Sequence, residues 1–179
     1  MIQFLRQNKV AMWILTVIRV YLGWLWLQAG WEKLTANGGF HAESIITGAI
    51  QQGTGITAKL YPYPWFVHFL NATTNHGHDT SFFNFIVPWG EFFVGLGLIF
   101  GTFTLAAAFF GLLMNFTFLL SGVIFVNATF ANPTYIFFGI FVLIGGFNSG
   151  KIGLDYWITP FLRQSIPFLN NDIELIKNS

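Results

Sequence analysis

Apolar residues run almost unbroken through residues 11–34, 82–101, 103–126 and 134–149, and each run is near the roughly 20 residues that cross hydrocarbon as a helix. The pattern predicts an all-α polytopic membrane protein: a four-transmembrane-helix bundle, one membrane domain over residues 1–179. Between the second and third runs lies only the turn GTF at 101–103, too short for anything but an antiparallel hairpin. The first run could be mistaken for a signal peptide. Its apolar core outruns the roughly 7 to 15 residues of such a region, and WEKL follows it in place of a small-x-small cleavage site, so it is read as a retained helix.

The polar stretches are as informative. Residues 35–81 form a long outer loop, in which HAESIITGAIQQ (41–52) predicts a short helix. Within the same loop the Tyr-Pro-Tyr-Pro run from Tyr61 leads into WFVHFL (65–70), an aromatic segment suited to lying at the membrane surface over the mouth of the bundle. After NATFANP, Pro133 is placed to start the last span. Past Gly150, KIGLDYWITPFLRQ alternates apolar and charged groups too often to enter lipid. The tail 150–179 is therefore expected to lie at the interface before turning polar.

Composition agrees. Only 8% of residues are charged, against 54% hydrophobic and 20% aromatic, where a soluble domain has about a quarter charged. A net charge of +1, with the charges scattered, offers no nucleic-acid surface. With no cysteine there is no thiolate chemistry and no Cys-ligated iron–sulfur cluster. Arg6, Lys9, Lys151, Arg163 and Lys177 fall on one side of a four-span arrangement and only Lys33 and Lys59 on the other. The positive-inside rule then puts both termini in the cytoplasm.

Against this apolar background Arg19, near the middle of the first span, stands out. A lipid-facing arginine there costs roughly 2.5 to 3.5 kcal/mol on insertion scales, so it must face the interior and have a partner. Arg19, Gly23, Trp26, Gly30 and Lys33 share one helical stripe. Trp24, Gln28 and Glu32 lie on another face, so protein is expected around much of this helix, from the bundle or from a partner chain, a second copy included. The second span carries one ionisable group, Glu91. Counted in from opposite membrane faces, Arg19 and Glu91 each lie roughly 12 to 14 Å deep at 1.5 Å per residue, which predicts an Arg19–Glu91 pair. In the third span Thr104, Ala108, Gly111, Asn115 and Gly122 make a stripe of small and polar residues with an amide at its centre.

All four histidines, His41, His68, His76 and His78, sit in the outer loop, so haem held by two histidines inside the bundle is excluded. No metal site is expected. NHGHD, with His76, His78 and Asp79, has ligand types for a divalent ion, but a solvated polar loop is its ordinary reading.

RVYLGWLWLQAGWEKL from Arg19, WGEFFVGLGLIFGTFTLAAAFFGLLMNFTFLLSG from Trp89, the NP at Asn132 and GLDYWITP from Gly153 together resemble the DoxX family. The resemblance implies a four-helix protein of the bacterial cytoplasmic membrane, similar to the membrane subunit of thiosulfate:quinone oxidoreductase. It implies a shared polar pocket made from Arg19, the AGxxKL ending at Ala29 to Leu34, Gly90 with Glu91, and Met114 with Asn115. The expected function is a quinone-linked oxidoreductase component that passes electrons from a partner or small donor to membrane quinone. Arg19 and Glu91 would be its catalytic pair, and Trp26, Gln28, Glu32, Lys33, Trp89 and Asn115 its ligand-binding residues. Quinone is the cofactor so implied, with neither haem nor iron–sulfur cluster, and the partners are membrane lipid and a peripheral or membrane redox subunit. The alternative is a non-enzymatic scaffold or small transporter in which the Arg–Glu pair is a clamp or gate.

Overall fold

The computed structural model describes residues 2–54, 63–121 and 133–165. Among them the chain is helical throughout and has no strand. A short helix α1 (Ile2–Gln7) leads into α2 (Lys9–Leu34), whose first amides are capped by Asn8 Oδ1, 2.7 Å from the amide of Val10. The loop expected to be long and outer holds α3 (Glu43–Thr54) and α4 (Pro64–Thr74), the latter with proline in its first turn. Next come α5 (Ser81–Phe100) and α6 (Thr104–Leu120), which form the expected hairpin. The end of the chain carries α7 (Pro133–Gly145), the single turn α8 (Phe147–Gly150) and α9 (Asp155–Ser165).

Two helices, α2 and α5, are long and apolar enough to cross a membrane, and α6 and the apolar part of α7 are shorter. The third run was expected to reach residue 126, and its end lies outside the described residues, as do Gly122, Tyr61 and the NATFAN segment. The fourth run was expected as one helix over 134–149. It breaks instead at Gly146, where a φ of +59° ends α7 and turns the chain into α8.

α2 is the hub, packed most extensively on α5 and also on α7, with α6 closing the ring between α5 and α7. The α2–α5 contact is close because glycines face backbone: a Cβ on Gly95 would lie 2.5 Å from the amide nitrogen of Leu27, and one on Gly30 2.5 Å from that of Phe92. Leu22, Trp26, Val94, Leu98, Ala108 and Val142 fill the centre.

Polar side chains share the interior with this apolar core, and large apolar side chains crowd the surface. Arg19, Glu91, Thr104, Asn115 and Asp155 are buried, whereas Trp13, Val17, Phe85, Phe93, Phe109 and Phe116 are exposed. Exposed apolar surface on this scale is untenable in water and natural in lipid. At the mouth, opposite the chain's amino end, α3 and α4 pack through Ala49, Phe66 and Leu70 onto Phe83 and Leu120, and Asn84 Oδ1 accepts the Ala42 amide at 2.7 Å. The two short helices thus pack at the mouth. The other end, holding α1, α8 and α9, is the base.

Candidate functional site

Arg19 and Glu91 do not pair. Glu91 Oε2 receives Lys33 Nζ at 2.6 Å, while the Arg19 guanidinium turns to carbonyls: Nη1 donates to Leu98 (2.5 Å) and Ile99 (3.3 Å), and Nη2 to Ile152 (2.7 Å), leaving Nε buried with no hydrogen-bond partner among the described residues. The expected pairing assumed that the two helices end level at the base. They do not, because α5 stops at Gly101, against Arg19, while α2 runs on to Lys9. Glu91 lies instead beside the Gly30–Phe92 contact, about three turns or 16 Å along α2 from Arg19.

The two charges therefore do different work. Arg19, 1% exposed, sits where the last carbonyls of α5 point, the end of a helix that attracts a cation. Gly101 makes room for it, since a Cβ there would meet Arg19 Nη1 at 2.5 Å. Just across the turn, Asp155 accepts the amides of Phe103 (2.7 Å) and Thr104 (2.8 Å) through separate oxygens. α6 has no cap of its own, because Phe103 at that position offers no acceptor, and the carboxylate from the start of α9 supplies it. Arg19 and Asp155 thus hold the α5–α6 turn from both sides. The sequence pattern alone gives Asp155, in GLDYW, no role; a helix that opens on Phe-Thr without a capping side chain is the signal that an acceptor comes from elsewhere.

Nearer the mouth is the second centre. Glu91 is fully buried and Lys33 only partly, at 26% of its side chain, so the pair joins the interior to the mouth. Lys33 also contacts the ring of Phe40, 5.7 Å from its centroid. Glu91 Oε1 and Asn115 Oδ1 are both buried with no hydrogen-bond partner among the described residues, and their neighbours Gly90 and Met114 face each other across the hairpin. Two acceptors at one level, held on α5 and α6, ask for a ligand that brings donors. A cavity of about 10 Å³ bounded by Trp26, Gly111, Asn115, Tyr135 and Gly139 has room for one water.

Behind these residues a groove of about 770 Å³ runs along the hairpin from Phe83 to Phe103, and Gly90, Val94 and Met114 form part of its wall. Its volume is that of a small-molecule site.

The other expected ligand residues divide. Trp26 is buried beside Asn115, but Trp89 is exposed on α5 and stacks on Phe93, their centroids 5.7 Å apart. Gln28 and Glu32 are exposed on the outward face of α2, as the stripe reading had it, and do not enter the pocket. At the metal candidates, His76 and His78 are exposed in a tight turn. Asp79 Oδ1 accepts the Ser81 amide at 3.0 Å, which holds its carboxyl below the usual range. Among the described residues no three His, Asp or Glu side chains stand close enough together to hold a metal ion.

The DoxX family matches residues 14–125. The chain belongs to the DoxX family. This is a family of membrane proteins, in keeping with the exposed apolar surface, and the matched stretch takes in Arg19, Lys33, Glu91 and Asn115 but stops short of Asp155. No curated protein and no solved structure matches the chain.

Proposed function

We propose that this DoxX protein spans the cytoplasmic membrane four times with both termini inside, and serves as the quinone-binding component of a membrane oxidoreductase. The observation that carries the reading is that two of the buried polar atoms without partners, Glu91 Oε1 and Asn115 Oδ1, belong to residues adjoining Gly90 and Met114 in the wall of the apolar groove of the α5–α6 hairpin. The two acceptors and the groove together fit the reduced, quinol form at its head and its tail. An isoprenoid tail suits a groove whose wall is almost wholly Phe, Val, Ile, Leu and Met, and the ring oxygens, as hydroxyls, suit two acceptors. When bound, quinone supplies a carrier of two electrons and two protons.

The residues of this chain bind and manage protons. Glu91 Oε1 accepts a hydrogen bond or a proton in a site closed to water, and Lys33 Nζ holds the other oxygen. The partly exposed ammonium also links that carboxylate to the mouth. Asn115 orients, and Gly90 and Met114 supply a thin and deformable wall. In this reading Arg19, expected to touch the ligand, serves as a structural clamp through its carbonyl bonds. Electrons come from a redox partner.

A second reading is a scaffold or small transporter. It is favoured by the cavity at Asn115, which has room for one water and none for a ring, and by the engagement of both Arg19 amino groups with backbone carbonyls. Photolabelling of the full chain in membranes with an azido-quinone separates the two. Label on peptides holding Gly90 or Met114, competed by unlabelled quinone, supports quinone binding; label spread over exposed phenylalanines without competition supports the scaffold or transporter.

A further inference from the structure

At the base, α9 carries an apolar face that is exposed. Tyr156, Trp157, Pro160 and Phe161 recur at i, i+1, i+4 and i+5 and are all exposed, Trp157 at 74% and Phe161 at 68%. The opposite side holds buried Asp155 and half-buried Ile158 and Thr159. The orientation of α9 is fixed by the fold: the amides of Leu154 and Asp155 donate to Phe100 (3.0 Å) and Gly101 (2.7 Å), and the Asp155 carboxylate holds the start of α6. The outward face is therefore presented by the bundle itself.

Charge decides what covers it. At this end Arg6, Lys9 and Lys151 are exposed. Arg6 Nε ties α1 to the end of α7 through the Ile144 carbonyl at 3.1 Å, and Asn148 Nδ2 joins α8 to the Leu5 (2.8 Å) and Asn8 (3.1 Å) carbonyls. Those bonds bring the three cations to one rim. The one acid of the described base, Asp155, is buried and spent on amides. The exposed carboxylates of the described chain, Glu32, Glu43 and Asp79, belong to the mouth.

We propose that the base is an anionic-phospholipid binding surface, with Arg6, Lys9 and Lys151 engaging headgroup phosphates while Trp157 and Phe161 of α9 enter the acyl region. Aromatic rings and basic side chains divide in this way at a membrane interface, and each cation near an anionic surface contributes enough attraction to enrich such lipids about fivefold. The proposal needs only that the bundle sits in a bilayer and is independent of the quinone reading.

The test is native mass spectrometry of the full chain in mild detergent, equilibrated with equal amounts of phosphatidylglycerol and phosphatidylcholine of matched acyl chains. Wild type is expected to retain phosphatidylglycerol preferentially. The surface variant Lys9→Gln/Lys151→Gln, unchanged in thermal unfolding, is expected to lose about fivefold of that preference per cation, and Trp157→Ala/Phe161→Ala to retain less of both lipids. Equal retention of the two lipids, or a preference untouched by removing the cations, overturns the proposal. So does a dimer abolished by Trp157→Ala/Phe161→Ala in protein that retains no lipid, which would make a second copy the occupant.

Discussion

Asp155 caps helix α6 at Thr104 from 51 positions further along the chain, its Oδ2 lying 2.8 Å from the Thr104 amide. The same carboxylate takes the Phe103 amide, so one buried side chain satisfies two donors that the helix cannot satisfy itself. Asp155→Ala is expected to destabilise the bundle by about 2 kcal/mol, and Asp155→Asn, which keeps one acceptor, by less. Reversible unfolding in mixed micelles measures both. Equal loss in the two variants would mean that charge, and not the pair of hydrogen bonds, is what matters.

Glycines separate the close α2–α5 contact from an open one. A Cβ on Gly95 would meet the Leu27 backbone at 2.5 Å, whereas nothing lies within 4 Å of one on Gly48 in α3. Gly95→Ala is expected to cost about 1 to 3 kcal/mol by forcing the helices apart. Gly48→Ala is expected to stabilise by about 0.5 to 1 kcal/mol through helix propensity. The check is opposite signs in thermal unfolding.

Removing either member of the Lys33–Glu91 pair should not be equivalent. Lys33→Met leaves a carboxylate fully enclosed and is expected to cost about 2 to 3 kcal/mol, somewhat less than for an entirely buried pair because Lys33 is partly open. Glu91→Gln leaves a partly exposed ammonium that keeps the Ala29 carbonyl and the Phe40 ring, and should cost about 1 kcal/mol. The double variant should recover much of the Lys33→Met loss, which a double-mutant cycle reads directly.

The helices were legible because hydrophobic runs and punctuating residues are local: GTF at the hairpin, proline in the first turn of α4, and the stripe that buries Arg19, Trp26 and Gly30 and leaves Trp24 and Gln28 outside all follow from chain-neighbour geometry. The break at Gly146 was hidden in an apolar run that only a left-handed φ divides. Register was not legible. Whether Arg19 faces Glu91 or the end of α5 depends on how far α2 projects past the hairpin turn, and that is set by Gly30 and Gly95 meeting backbone, a fact of the assembled pair. Hence both buried charges were found and their partners were not: Glu91 takes Lys33, from the stripe that also holds Arg19, and Arg19 takes the carbonyls of Leu98, Ile99 and Ile152.

The two charges are assigned different roles, and quinone retention tests the assignment most directly. Lipid extracts of gently solubilised wild type, Glu91→Gln and Arg19→Gln would be quantified for quinone by mass spectrometry, with unfolding measured on the same samples. Wild type should carry quinone near one per chain. Glu91→Gln should remain folded and lose it, while Arg19→Gln should be destabilised by about 2 to 3 kcal/mol and keep quinone in the fraction that stays folded. Quinone absent from wild type, or retained in full by Glu91→Gln, would contradict a ligand site at Glu91 and leave the bundle as a scaffold or transporter.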